Sequence, residues 1–278
     1  MLLQGGCISH YIIHPRQLPQ DLEAWQEERE VAGLIMRFEW VLPAGEGPLP
    51  TVIVHPEANH FADEMRGILY SLAQRGYAAV AADYRRANGE TLFTWKRPED
   101  ARAVYEIVRQ HPRVDGDRLG WMGYSQGGIY SLLIAARTPA AAVVAYYPVT
   151  DFETWLEDAE GRGLRRLVFR AIRRYFRKKS GAESEEEYRR LLRQASPYHQ
   201  AESITAPVLL IHGARDRSAR LSESRRLAER LRELDREVRL VVLDDAGHVF
   251  NFRNQDKAAR AWQEATAWLD RHLRGEAP

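Results

Sequence analysis

Apolar runs and amphipathic stretches alternate along most of the chain. Ile35 to Leu42 alternates partly between apolar and polar positions, as a half-buried strand does. Thr51 to Val54 is a fully apolar strand ending at His55, and the Gly/Pro-bearing turn from Pro43 to Pro50 predicts a hairpin between the two. A helix over 61–75 stops at Gly76. Tyr77 to Ala82 is the next buried strand and delivers Asp83, Tyr84 and Arg85. Pro98 to Gln110 is a helix with proline in its first turn. Leu119 to Met122 is a strand and Ile129 to Ala136 a buried helix. Further strands are expected at Ala141–Tyr147, Val208–Ile211 and Val238–Leu243, with helices at about 221–234 and 256–273. This alternation predicts an α/β fold, a mostly parallel central sheet with helices on both faces. Residues 1–30 read as an N-terminal extension, irregular and then helical and acidic from Leu18 to Glu30, ahead of one domain over 31–278.

Residues 151–200 break the rhythm, because they separate two strands by far more than an ordinary loop. Leu164, Leu167, Val168, Ala171, Ile172, Tyr175 and Phe176 recur there at helical spacing. Arg165, Arg166, Arg170, Arg173, Arg174 and Arg177 fall on the opposite face, and an acidic patch from Glu183 to Glu187 opens a second helix. The expectation is a helical cap that lays its apolar stripe over the sheet, its arginines solvated or paired with the acidic patch. The alternative is a basic amphipathic helix at a membrane surface.

Composition narrows the setting. The 278 residues are 45% hydrophobic and 28% charged with a net charge of +1, so nothing calls for nucleic acid or stable membrane insertion. The one cysteine, Cys7, excludes an intrachain disulfide and fits a cytoplasmic compartment. The first residues lack the basic region and apolar length of a signal peptide. His10, His14, His60, His111, His199 and His272 make no metal-binding pattern, and neither a metal nor an organic cofactor is expected.

The strongest chemical signal is Gly123-Tyr124-Ser125-Gln126-Gly127-Gly128, set between an apolar strand and a buried helix. Small residues two before and two after the serine let the chain reverse sharply. The turn exposes the hydroxyl at the helix N-terminus, where free N–H groups favour negative charge. A serine hydroxyl needs a base, and the base needs an orienting partner. His248 in Asp244-Asp245-Ala246-Gly247-His248 follows one strand. Asp216 in His212-Gly213-Ala214-Arg215-Asp216 follows another. Both lie at strand C-termini, the edge where open α/β sheets build their sites. Asp244 and Asp245 are rival acids but stand too near His248 in sequence to reach its ring from behind. His212 reads as a packed strand-end histidine.

These residues together resemble the α/β-hydrolase superfamily over about 35–275. Asp83-Tyr84-Arg85, Pro98-Glu99-Asp100, Val114 to Gly120, Ser196-Pro197-Tyr198 and Ala206 to Gly213 are similar to the catalytic domain of prolyl oligopeptidase-type hydrolases. His55-Pro56-Glu57-Ala58-Asn59 and Ala246 to Phe250 are closer to the dienelactone hydrolase branch, and Ser-Gln-Gly-Gly resembles carboxylesterases and acyl-protein thioesterases. The resemblance implies the α/β-hydrolase fold and the chain order nucleophile Ser125, acid Asp216, base His248. It implies an oxyanion hole from the N–H of Gln126 and one from the loop after Thr51–Val54. Pro56 has no N–H, which leaves Glu57. The Glu57 side chain either helps to position the site or faces solvent.

The chain departs from both branches in places. Dienelactone hydrolases carry cysteine where Ser125 stands, so their lactone substrate does not carry over. The propeller that restricts oligopeptidases to peptides is not expected in the roughly 35 residues ahead of the domain. His55-Pro56 replaces the usual His-Gly, and Ser218-Ala219-Arg220 replaces the usual Val-Pro. The expected activity is hydrolysis of a small-molecule carboxylic ester through an acyl-serine, with Tyr124, Trp95, Trp155 and Tyr146 as pocket walls. A small-peptide or acyl-amide hydrolase is the alternative, and a non-catalytic membrane- or partner-binding protein using the arginine-rich helix is a third reading. A homodimer stays open.

Overall fold

Strands that are apolar on both faces must be covered on both faces, and β3 (Leu49–His55) and β7 (Val208–Gly213) are buried along nearly their whole length. The computed structural model describes residues 12–31, 33–58, 60–83, 97–158 and 164–275. Its other strands are β1 (Leu22–Val31), β2 (Leu34–Pro43), β4 (Ala78–Ala82), β5 (Val114–Tyr124), β6 (Ala142–Tyr146) and β8 (Val238–Leu243). The eight strands form one sheet in the order β1-β2-β4-β3-β5-β6-β7-β8. The pairs β1/β2 and β2/β4 are antiparallel, and every pair from β4/β3 to β7/β8 is parallel.

Successive side chains on each strand feed opposite layers. On one face Val52, Val54, Met122 and Val144 pack with α1 (Arg66–Ala73) and α8 (Gln255–Leu269). On the other, Ile53, Trp121, Val143 and Leu210 pack with α2 (Arg97–Arg109), α3 (Gln126–Ala135) and α7 (Leu221–Glu233). The segment after β6 holds α4 (Phe152–Asp158), α5 (Leu164–Ser180) and α6 (Glu185–Gln194). It buries Phe152, Leu156, Phe176 and Tyr188 against Ile129, Tyr130 and Leu133 of α3, forming the cap. No described helix is long and apolar enough to cross a membrane.

Three expectations need correction. The acidic segment at 18–30 is not a helix, because β1 pairs with β2 over ten residues, closing at Gly33 (φ +77). Trp25 stacks on Trp40 at 5.7 Å and the Trp40 indole donates to Glu27 at 3.0 Å, so pairing overrides the helix propensity of the glutamates. The sheet therefore begins at Leu22 and not at residue 31. The expected hairpin between β2 and β3 is also absent, since β4 lies between them.

The third correction concerns α5. Its apolar residues do not form one stripe facing the sheet. Phe176 is buried and Ile172 half-buried, whereas Leu167, Val168 and Ala171 are exposed. The inward face is chosen by aromatic contacts, Trp155 with Phe169 at 5.4 Å and Phe152 with Phe176 at 5.9 Å.

Candidate active site

The parallel strands end at a common edge, and β3, β5, β7 and β8 deliver Glu57, Ser125, Asp216 and His248 there. Ser125 sits between β5 and α3 with φ 50 and ψ −111, a region that few residues with a Cβ occupy. The reversal requires glycine on both sides. A Cβ on Gly123 would lie 2.1 Å from the Gly127 carbonyl oxygen, and one on Gly127 would lie 2.1 Å from that of His55. Ser125 N donates to the Tyr146 carbonyl at 2.9 Å, which pins the turn to β6.

Ser125 Oγ is 3.0 Å from His248 Nε2, and His248 Nδ1 is 2.6 Å from Asp216 Oδ2. Two backbone bonds set that spacing by tying the loops after β7 and β8 together: Ala214 N to Leu243 O and Arg215 N to Ala246 O, both 2.9 Å. Asp245 faces outward and pairs with Arg215.

The Ser218-Ala219-Arg220 segment closes the acid loop without proline. The N–H groups of Ser218 and Ala219 donate to Asp216 Oδ1 at 2.8 and 3.0 Å. Burial alone would raise the Asp216 pKa. Hydrogen bonds from His212 and His248 outweigh it and hold the carboxyl at about 2.

His212 is buried, as a packed strand-end histidine should be, but it does more than fill space. Its Nε2 lies 2.9 Å from the Ala219 carbonyl and 3.4 Å from Asp216 Oδ2, while Nδ1 lies 2.7 Å from Ser224 Oγ. Two acceptors at Nε2 place the proton there, so Nδ1 accepts from the serine hydroxyl. The pattern of strand and loop gave no signal for this second histidine on the acid.

The loop after β3 is buried, so the solvent-facing alternative for Glu57 does not hold. Glu57 is 6% exposed, and its Oε1 accepts from Tyr147 Oη at 3.0 Å. The Tyr147 ring meets His248 edge-on at 4.8 Å. Tyr147 is not the last strand residue expected from its apolar surroundings. It leaves β6 with φ 39, which turns its side chain to the site edge. Beneath the same loop, His55 Nδ1 is 3.0 Å from Ser131 Oγ on α3, and its ring stacks on Trp121. Burial lowers the His55 pKa to about 3, so the ring is neutral.

The expected pocket residues scatter. Tyr124 and Tyr146 stack on each other at 4.5 Å inside the layer under α8, and Tyr146 Oη donates to the Ala261 carbonyl. Both are fully buried and offer no wall to a ligand, which corrects the expectation; even positions of β5 and β6 face that layer. Trp155 belongs to the cap, and its indole donates to Ser218 O at 2.7 Å, two residues past Asp216. Trp95, Tyr84, Arg85, Asn59, Cys7 and His10 lie outside the described residues. Among the remaining histidines, His199 stands with Asp151 and Glu153 close enough to share an ion. Arg226 and Arg193 already bond those two carboxylates at 3.0 and 2.9 Å.

The fold has counterparts among known proteins. The profile of the prolyl oligopeptidase family matches residues 63–276. The chain belongs to the prolyl oligopeptidase family. It is 30% identical over 208 residues to the uncharacterized peptidase YtmA of Bacillus subtilis (strain 168), covering 73% of this chain and 76% of that protein. It is 26% identical over 257 residues to a probable 2-oxo-3-(5-oxofuran-2-ylidene)propanoate lactonase of Bradyrhizobium sp, covering 84% and 88%. A putative dienelactone hydrolase from Klebsiella pneumoniae subsp. pneumoniae MGH 78578 superposes with a TM-score of 0.67 at 23% identity, covering 89% of this chain and 98% of that one. The fold is therefore that of the α/β-hydrolases, and family membership makes the chain a hydrolase.

Proposed function

We propose that this protein is a serine hydrolase that cleaves small carboxylic esters through an acyl-serine. The observation that carries the reading is the hydrogen-bonded line from Ser125 Oγ through His248 to buried Asp216, at 3.0 and 2.6 Å. His248 Nε2 takes the Ser125 proton as Oγ attacks the ester carbonyl. Asp216 holds the ring and stabilises its charged form. The N–H groups of Gln126, at the start of α3, and of Glu57 bind the oxyanion; losing one such donor costs roughly 2.7–4 kcal/mol of transition-state stabilisation. The proton returns to the departing alkoxide. Water, deprotonated by His248, then breaks the acyl-serine bond, releasing the carboxylic acid and restoring the serine. Trp155 borders the acyl side from the cap, and no step calls for a metal or organic cofactor. A cytoplasmic setting fits the single Cys7.

Family membership favours a second reading, cleavage of small peptides or acyl amides. Hydrolysis of p-nitrophenyl esters from acetate to decanoate, by wild type and Ser125→Ala, separates the two when run beside aminoacyl anilides. Ester turnover that vanishes in the variant, with no anilide turnover, is the expected result. Anilide turnover at comparable kcat/KM would establish the peptidase. No turnover on either series, and no labelling of Ser125 by a fluorophosphonate, would refute both.

A further inference from the structure

The helix α5 carries eight arginines and lysines and no acidic residue. Its inward arc, Phe169, Ile172 and Phe176, is committed to the cap. That leaves the N-terminal part of an outward arc that the cap does not use; one turn on, Tyr175 of the same arc is half-buried against the cap. Leu167 is 61% exposed and Val168 50%, with exposed Ala171 between them in projection. At 3.6 residues per turn, Arg170 and Arg174 fall on one flank of this arc, Lys179 on the other and Lys178 at its C-terminal end.

The cations divide into two sets. Arg173 and Arg177 turn toward α6, where Glu185 lies 3.4 and 4.0 Å away. Arg170, Arg174, Lys178 and Lys179 are exposed, and among the described residues no carboxylate pairs with them. The acidic patch of α6 therefore neutralises one side of the helix and leaves the other charged.

We infer that this outer arc of α5 seats the protein peripherally on an anionic lipid surface. A central apolar strip flanked by long basic side chains is the geometry that such a surface rewards. Leu167 and Val168 enter the acyl boundary while the arginine and lysine stems extend to the phosphates. The helix spans roughly 25 Å (17 residues at about 1.5 Å each), long enough for several headgroups. A second copy of the chain is a poorer occupant, because two such faces would oppose like charges with no acid on either helix. The attachment is reversible, since no residue of the arc is long enough to anchor and no described helix crosses a bilayer.

Vesicle co-sedimentation of the full chain tests this. Phosphatidylcholine alone is compared with phosphatidylcholine containing phosphatidylglycerol, in low and high salt. Binding is expected only to the anionic vesicles and is released by salt. It should weaken about fivefold for each cation removed in the series Arg170→Gln, Arg174→Gln, Lys178→Gln and Lys179→Gln. Leu167→Ser with Val168→Ser should weaken it without changing its salt dependence. All six positions are exposed, so unchanged thermal midpoints and soluble-ester turnover show that the variants fold. No sedimentation, equal sedimentation on both vesicles, or full binding by the four-cation variant would overturn the inference. So would binding to polyglutamate with none to vesicles, which would move the surface to an acidic protein partner. The vesicle readout does not depend on ester turnover, so either can fail alone.

Discussion

His212 Nε2 lies 3.4 Å from the same Asp216 oxygen that receives His248 Nδ1 at 2.6 Å, so one buried carboxylate oxygen serves two imidazoles. The inner ring cannot reach Ser125, because its other nitrogen is held by Ser224. Bonded also to the Ala219 carbonyl, it ties the loop to Asp216 and helps keep the carboxyl ionised.

Removing that ring should therefore be felt as pH dependence. In His212→Leu, Asp216 loses a hydrogen bond that helps offset its burial, and its pKa rises. A bond to a charged group is worth about 1.5–3 kcal/mol, so stability should fall by that order. The pH profile of kcat/KM should shift its acid limb upward, while KM at the plateau changes little. A His212→Leu profile that superposes on wild type would show that His212 only packs.

The two glycines beside Ser125 test the turn independently of chemistry. In Gly127→Ala the new methyl would sit 2.1 Å from the His55 carbonyl oxygen, and no side chain there can yield. The expected loss is about 3 kcal/mol or more, the upper range for overpacking. Gly128→Ala is the milder comparison, since its methyl would meet the Tyr146 carbonyl oxygen at 3.2 Å, crowded but not overlapping. Thermal midpoints that fall alike in both variants would contradict this picture of the turn.

The same turn explains what could be read in advance. Ser125, Asp216 and His248 each follow an apolar run, so the run locates the strand end and the strand end locates the residue. Periodicity thus carried the parallel strands and the main helices. It failed where tertiary contacts decide. The glutamates of β1 favour a helix until Trp25 finds Trp40, and the apolar arc of α5 is wider than the cap needs. Tyr147 and His212 were illegible for another reason. Tyr147 bonds Glu57, 90 positions away, and the four-residue step from His212 to Asp216 brings the two together only through the bend of the loop after β7.

Acid should weaken the fold in two stages. His55 ordinarily titrates near 6.5 but is held at about 3 by burial, so the unfolded chain binds a proton that the folded chain refuses. The stability this provides is complete above pH 6.5 and is lost as the pH falls through that value toward 3. Asp216 prefers to be charged in the fold, so its contribution is complete above 3.8 and is lost as pH falls toward 2. Denaturant midpoints measured from pH 7 down to 4 should decline in wild type. They should decline less in His55→Phe, which cannot take up the proton. Equal slopes would remove His55 as a cause.

Tyr147→Phe isolates the link between the loop after β3 and the base. It deletes the hydroxyl that donates to buried Glu57 at 3.0 Å but keeps the ring edge against His248. Stability should drop by about 1–3 kcal/mol, as a buried acceptor loses a donor. If Glu57 N–H binds the oxyanion, kcat should fall with KM nearly unchanged, because the loop is then misplaced in the transition state more than in the bound ester. A drop in stability with kcat intact would leave the pair structural and send the second oxyanion donor elsewhere.

The cap is fastened through α7, which fixes a last expectation. Buried Glu223 accepts from Thr150 N and Asp151 N, both at 2.9 Å, where the chain leaves β6 for α4. Three residues on, Arg226 bonds Asp151 at 3.0 Å and lies over the Tyr198 ring at 4.6 Å, where the chain returns from the cap. Ser224, between them, holds His212. One short stretch of α7 thus grips both cap crossings and the support of Asp216. Burial raises the Glu223 pKa, so the carboxylate is kept by the N–H donors and Arg226 against that pressure. Glu223→Ala would strand two buried N–H groups, at about 1–3 kcal/mol each. Limited proteolysis should then cut within 151–200 faster than in wild type, and ester turnover should fall although the variant touches no reacting atom. Unchanged cutting would mean that the aromatic packing of Phe152 and Phe176 holds the cap without the clamp.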